Sequence, residues 1–136
     1  MTEPKSESPF EIQRREIMED HRQLGDLLTQ LHQAPHLSDT SRLLGDLQGL
    51  LRRHFAREES PDGLFEMIGS RAPHHRETVQ ALASEHVTFL TELDELAATP
   101  EGRAVEAISD RVIRFVTRLR EHESRESKLL LDSLSP

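Results

Sequence analysis

The chain has no cysteine, no tryptophan and no tyrosine. Disulfides are therefore excluded, and so are thiolate and phenolate as metal ligands. Long apolar runs are missing too: nothing approaches the roughly 18 consecutive apolar residues that a membrane span requires. The opening residues, MTEPKSESP, are polar and carry prolines and acids ahead of any apolar run, unlike a secretory leader. A cytoplasmic location with no membrane partner is the expectation. Positive charge is in deficit, with 17 Lys and Arg against 25 Asp and Glu and a formal net charge of -8. Phosphate binding needs a basic face, so nucleic acid is not an expected partner. The arginines are dispersed beside acids, as in Arg14-Arg15-Glu16 and Arg57-Glu58, the pattern of a solvated helical surface.

What is present is 136 residues, enough for one domain with a real core. Residues 1–8 read as a disordered tail and 9–136 as the domain. Ser8-Pro9-Phe10-Glu11 supplies an N-cap, a proline at the first helical position and a capping-box glutamate. The first helix should run to His32 or Gln33, stopped by Pro35, with Ile17, Leu24, Leu28 and Leu31 as its apolar stripe. The second begins near Ser38 or Asp39, carries Leu43, Leu47, Leu50 and Leu51, and breaks at Ser60-Pro61-Asp62-Gly63. Leu64 to Ile68 can form one more turn before Gly69-Ser70. The third helix starts around Pro73 and buries Val79, Leu82, Phe89, Leu90 and Leu93. Thr99-Pro100 stops it, and the fourth carries Ile108, Val112, Phe115 and Leu119.

Set into these stripes is a spacing that occurs twice. His54 precedes Glu58 by four residues and His122 precedes Glu126 by four, and a single histidine, His21 or His86, lies one helix upstream of each pair. The two halves match as one hairpin used twice, Asp20-His21 corresponding to Glu85-His86 and His54-x-x-x-Glu58 to His122-x-x-x-Glu126. Two antiparallel hairpins with short loops make an all-α, up-down-up-down four-helix bundle. At 1.5 Å per residue His21 and His54 stand within roughly 5 Å in height, whereas His86 and His122 are offset by roughly 12 Å. A rising connection through Glu101 to Arg103, or a tilted start to the fourth helix, has to absorb that offset.

Residues four apart lie one above the other on a helix, so each His/Glu pair can approach a metal cluster from one face. Imidazole suits borderline metals such as iron, and a carboxylate can bridge two cations. With eight His and 17 Glu in the chain, roughly one such pair is expected by chance, and a lone pair is usually a surface ion pair. Here both pairs continue an apolar stripe, both have an upstream histidine, and the arrangement repeats. Burying those groups is costly unless something satisfies them. The candidate metal ligands are therefore His21, His54, Glu58, His86, His122 and Glu126.

The ordered set His21, His54-Phe55-Ala56-Arg57-Glu58-Glu59, Glu85-His86 and His122-Glu123-Ser124-Arg125-Glu126 resembles the hemerythrin family, or His-His-Glu cation-binding domain, from about Phe10 to Leu131. The resemblance implies two Fe ions with a bridging oxo or hydroxo group, the four histidines as terminal ligands and Glu58 and Glu126 as bridges. Oxygen carriers of that family have a fifth histidine on the third helix and an aspartate five residues after the last histidine. Here Leu82 and Leu90 flank His86 and position 127 is Ser. Glu123 or water is expected to replace the fifth histidine.

Elsewhere, His74 and His75 are expected in a solvated first turn, His32, His36, Glu59 and Asp62 at the surface, and Met18, Phe55, Phe89 and Phe115 in the core. The expected function is a non-haem di-iron protein that binds or senses oxygen, another small ligand or iron. An enzyme with ferroxidase or peroxide-decomposing activity is the alternative, and a metal-free helical interaction domain is the third class.

Overall fold

The protein is described from a computed structural model, over residues 8–33, 37–61, 63–98 and 105–134. Five α-helices are found there: α1 Pro9–Gln33, α2 Leu37–Glu59, α3 Leu64–Arg71, α4 Arg76–Ala97 and α5 Val105–Leu134, with a 3-10 turn at Pro73–His75 before α4. Residues 1–7 of the expected tail lie outside the described residues, as do Pro35, His36, Asp62, Thr99-Pro100 and residues 101–104. Ser8 acts as the expected cap: its Oγ accepts the Glu11 amide at 3.2 Å and its carbonyl accepts the Ile12 amide at 3.1 Å.

The four long helices form a ring in which α1 packs on α2, α2 on α4, α4 on α5 and α5 back on α1. Side-chain pairs fix the directions. Asp20 meets His54 while Glu16 meets Arg57, so α1 and α2 are antiparallel. The same reversal relates Gln48–Asp94 to Glu59–His86, Glu92–Arg118 to Glu85–Arg125, and Thr29–Arg120 to His21–Ser127. Every neighbouring pair is antiparallel, which is the up-down-up-down bundle. No helix of the described residues is long and apolar enough to cross a membrane.

Two apolar layers fill the bundle. One holds Leu24, Leu28, Leu47, Leu51, Leu93, Phe115 and Leu119 among others, and the other holds Ile17, Leu64, Phe65, Ile68, Leu82, Leu129 and Leu130. Burying each leucine contributes roughly 1.5–3 kcal/mol. The expected stripes are buried apart from Leu50, Val79 and Leu90, which are half-buried, and Ile108, whose side chain is not described. Met18 corrects the expectation of a core residue: it is 55% exposed, one position and about 100° round the helix from the buried Ile17.

Helix α3 runs two turns, past Gly69, because Leu64, Phe65 and Ile68 close the second layer. The expected offset in the second hairpin is also smaller. His21 lies 12 residues before the end of α1 and His54 17 after the start of α2; His86 and His122 stand 11 and 17 residues from their ends. The two hairpins are therefore mismatched almost equally, by roughly 8 and 9 Å of rise.

Gly63 joins α2 to α3 with an ordinary backbone, φ -84° and ψ -176°. It is required by space rather than by conformation. A Cβ there would fall on the carbonyl oxygens of Arg57 and Glu58, 2.6 Å from the latter. Gly63→Ala should cost about 1–3 kcal/mol, an overpacking penalty, in urea unfolding. Gly45→Ala, exposed in mid-helix with nothing within 4 Å of the new methyl, should instead gain about 0.5–1 kcal/mol. Unchanged stability in Gly63→Ala would show that the junction yields.

Candidate metal centre

Between the two apolar layers lie the six predicted side chains. His54, Glu58, His86, His122 and Glu126 are buried, and only His21 keeps partial exposure. Their helical stripes bring them there: each replaces an apolar residue at a core-facing position, so burying the neighbouring leucines carries them inward.

The two glutamates span the hairpins. Glu58 Oε1 lies 3.3 Å from His54 Nε2 and 3.4 Å from His86 Nε2, and its Oε2 lies 3.9 Å from His21 Nε2. Glu126 Oε1 is 3.2 Å from His86 Nε2 and also contacts His122 Nε2, and its Oε2 is 3.6 Å from His21 Nε2. Each carboxylate thus touches imidazoles of both halves. Two tight groups result, His21/His54/Glu123/Glu126 and His86/His122/Glu126, each with its ligand atoms within 4.8 Å of one another.

The outer ring nitrogens face polar side chains of neighbouring helices, a pairing the sequence did not reveal, and all but His122 Nδ1 are hydrogen-bonded there. His54 Nδ1 is 3.1 Å from Asp20 Oδ2, and His122 Nδ1 faces Glu85 Oε1 at 3.5 Å, longer than a good hydrogen bond. These acids are the residues immediately before His21 and His86, so each upstream helix braces the histidine of its hairpin partner. Conversely, the residue after each bridging-position glutamate braces the upstream histidine of the other hairpin. Glu59 Oε2 is 3.2 Å from His86 Nδ1, and Ser127 Oγ is 3.3 Å from His21 Nδ1. The signal lay in the repeat, Asp20-His21 against Glu85-His86, although its meaning needed the helix pairing. Glu59 corrects an expectation in part: its side chain is 45% exposed, yet it holds a buried ring. A proton on Nδ1 leaves the Nε2 lone pair free to point inward.

Aromatic rings wall the second group. Phe55 lies flat on His86 with centroids 3.6 Å apart, Phe65 stacks on the same ring at 5.2 Å, and Phe89 meets His122 at 5.1 Å. On the outside, a groove of about 510 Å³ between α1 and α2 runs to Asp20 and His54 and carries Arg53 and Arg57. His74 is exposed and His75 half-buried in the 3-10 turn, and neither belongs to the cluster. His32 is exposed as expected.

Apart from His86 Nε2 and Glu126 Oε1, which are hydrogen-bonded at 3.2 Å, the inner atoms are mutually close and yet unpartnered. His21 Nε2, His54 Nε2, His122 Nε2, both oxygens of Glu58 and of Glu123, and Glu126 Oε2 are buried with no hydrogen-bond partner among the described residues. Even the 2.6 Å approach of Glu123 Oε2 to His21 Nε2 lacks the alignment of a hydrogen bond. Unsatisfied buried groups of this kind cost on the order of 1–3 kcal/mol each. Convergent lone pairs of imidazole and carboxylate are the donor set of a cation such as iron or zinc, and the residues present fit that group.

Electrostatics follow from the same crowding. Burial by itself would lower the His21 imidazole, but Glu123, Glu126 and Glu58 outweigh it and push it up to about 12. Burial likewise opposes His54, which Asp20 and Glu123 raise to about 10, and His86, which Glu126 and Glu58 raise to about 9. Burial, then the charge of Glu126, lifts Glu58 to about 7. In the metal-free chain, groups raised above their unfolded values stabilise the fold fully below those values and lose that stabilisation as pH passes the folded ones. Thermal unfolding of the metal-free protein should therefore move to lower temperature between pH 7 and pH 10, as His86 and His54 give up protons in the fold; the part due to Glu58 is already lost by about pH 7. A transition that holds or rises over that window would contradict the imidazolium–carboxylate pairing.

No curated protein and no solved structure is found to match the chain. A family model does match, that of the Hemerythrin HHE cation binding domain, over residues 14–134. With nearly the whole sequence matched, an antiparallel four-helix bundle, and a duplicated His/Glu cluster at its middle, the chain belongs to the hemerythrin HHE cation-binding domain family.

Proposed function

We propose that the protein is a non-haem di-iron protein that binds or senses oxygen, a related small ligand, or iron itself. The observation that carries this reading is the convergence of unpartnered, buried imidazole and carboxylate atoms on the centre of the bundle. His21 and His54 would hold one ion and His86 and His122 the other, with Glu58 and Glu126 shared between them. The reach of both glutamates to histidines of both hairpins supports the sharing. Bound iron, with its oxo or hydroxo bridge, would supply a redox-active centre able to take a small oxidant. The chain's contribution is to orient the rings through Asp20, Glu59, Glu85 and Ser127, and to keep water away with Phe55 and Phe89. A metal-free interaction domain is disfavoured, because nothing else among the described residues satisfies these groups.

A second reading, an enzyme with ferroxidase or peroxide-decomposing activity, uses the same residues. It is favoured by the donor count, since four histidines and two shared carboxylates leave positions open on two six-coordinate ions. Anaerobic Fe(II) loading followed by stopped-flow mixing with oxygen or peroxide separates the two. Reversible spectra indicate binding, and repeated consumption of oxidant indicates turnover.

Metal content of purified protein tests the assignment directly. Wild type should carry two ions per chain. Glu58→Ala and Glu126→Ala should each impair retention of both ions, because each removes a ligand shared by two, whereas His21→Ala should mainly weaken one. His74→Ala and His75→Ala should retain both. Keeping two tightly held ions after loss of either glutamate would sink the bridging assignment. Loading should also raise the unfolding temperature, each ion adding about 2.7 kcal/mol of stability at a free metal concentration of 100 times its Kd. Equal stability with and without metal would contradict a site that uses these atoms.

A further inference from the structure

Glu123 and Phe55 occupy equivalent positions in the two hairpins, each directly after the histidine of its His-x-x-x-Glu pair. They treat the two halves of the centre differently. Phe55 covers the face of His86, with ring planes 5° apart, and offers no donor atom. Glu123 turns its carboxylate inward instead, with Oε2 2.6 Å from His21 Nε2 and 3.5 Å from His54 Nε2. Both its oxygens are buried without a hydrogen-bond partner, although the side chain as a whole is 13% exposed. Its oxygens group with His21 and His54, not with His86 and His122. Glu123 therefore cannot simply fill the place of a missing third-helix histidine beside His86. It serves the opposite side.

We propose that Glu123 is an unshared ligand of the ion held by His21 and His54, so that the ion held by His86 and His122 is one protein donor short and is where a small exogenous ligand binds. This rests on the two-ion reading above. The His21/His54 side has three unshared donors, and the other side has two. Surroundings reinforce the difference. His21 is 15% exposed, whereas His86 and His122 are almost fully buried against Phe55, Phe65 and Phe89. The donor-poor side is also the more apolar one, walled by three phenylalanine rings.

Co(II) titration of the metal-free full-length chain, followed by its visible spectrum, tests this. Wild type should take up two ions. Glu123→Gln, close in shape but a poor ligand, should hold one ion as wild type does and bind the other at least about tenfold more weakly, within the range typical of perturbing a metal site. Glu123→Asp, which keeps the charge but withdraws the oxygens by one methylene, should weaken the same ion and serves if the Gln variant does not fold. Combination identifies the ion. Added to His21→Ala, Glu123→Gln should remove little more; added to His86→Ala, it should weaken both ions. With azide as the probe, the singly loaded form of His21→Ala should give the larger spectral response and that of His86→Ala the smaller. Unchanged titration in both Glu123 variants, non-additivity with His86 instead of His21, or the reverse azide order would overturn the proposal while leaving the two-ion reading intact. Failure of the wild type to take up two ions would overturn that reading, and this one with it.

Discussion

Six ionisable side chains at the middle of a four-helix bundle lie between apolar layers that have to tolerate them. Burying unpaired polar groups costs free energy that each nearby leucine offsets only in part. The arrangement resolves this in two directions. Outward, the ring nitrogens meet Asp20, Glu59, Glu85 and Ser127. Inward, apart from the hydrogen bond between His86 Nε2 and Glu126 Oε1, the remaining nitrogens and oxygens point at one another without a hydrogen-bond partner among the described residues. Everything above and below the cluster serves to hold that inward set at a fixed spacing.

The bracing is reciprocal between helices, and that explains why a duplicated hairpin is an effective way to build the centre. Each upstream helix contributes a ring to the cluster and an acid to its hairpin partner. Each downstream helix contributes a ring, a central carboxylate, and the next residue as support for the other hairpin. Moving one helix by a turn would break contacts in both halves at once. The shape of Gly63 belongs to the same constraint: only a residue without a side chain lets the chain leave α2 so close to the carbonyl of Glu58.

Duplication nevertheless stops short of symmetry. Ser127 stands where Glu59 does, and Glu123 where Phe55 does. The first exchange trades a charged brace for a neutral one, and the second trades an aromatic lid for a carboxylate. Both fall beside the same histidine, His21, so the departures concentrate on one side of the cluster. The two donor groups built this way are unequal in charge, exposure and donor count.

The helices, their apolar stripes and the six inward residues were legible in the chain alone, because a period of 3.6 together with repeated His-x-x-x-Glu spacing leaves few places for those side chains to go. So were the caps and breakers, since Ser8-Pro9 and Pro61-Gly63 act locally. Contacts that span two helices were not legible there, because they depend on how the helices pack. That Asp20 supports His54, that the exposed Glu59 holds His86, and that Glu123 turns to His21 rather than to the side lacking a histidine are facts of helix rotation and relative height. Met18 was misplaced for the same reason: one residue is about 100° of rotation, and a small error in the angle of a stripe exchanges core for solvent. Spacing along a chain fixes which face a residue shares, while packing between chains of residues fixes which atoms it meets.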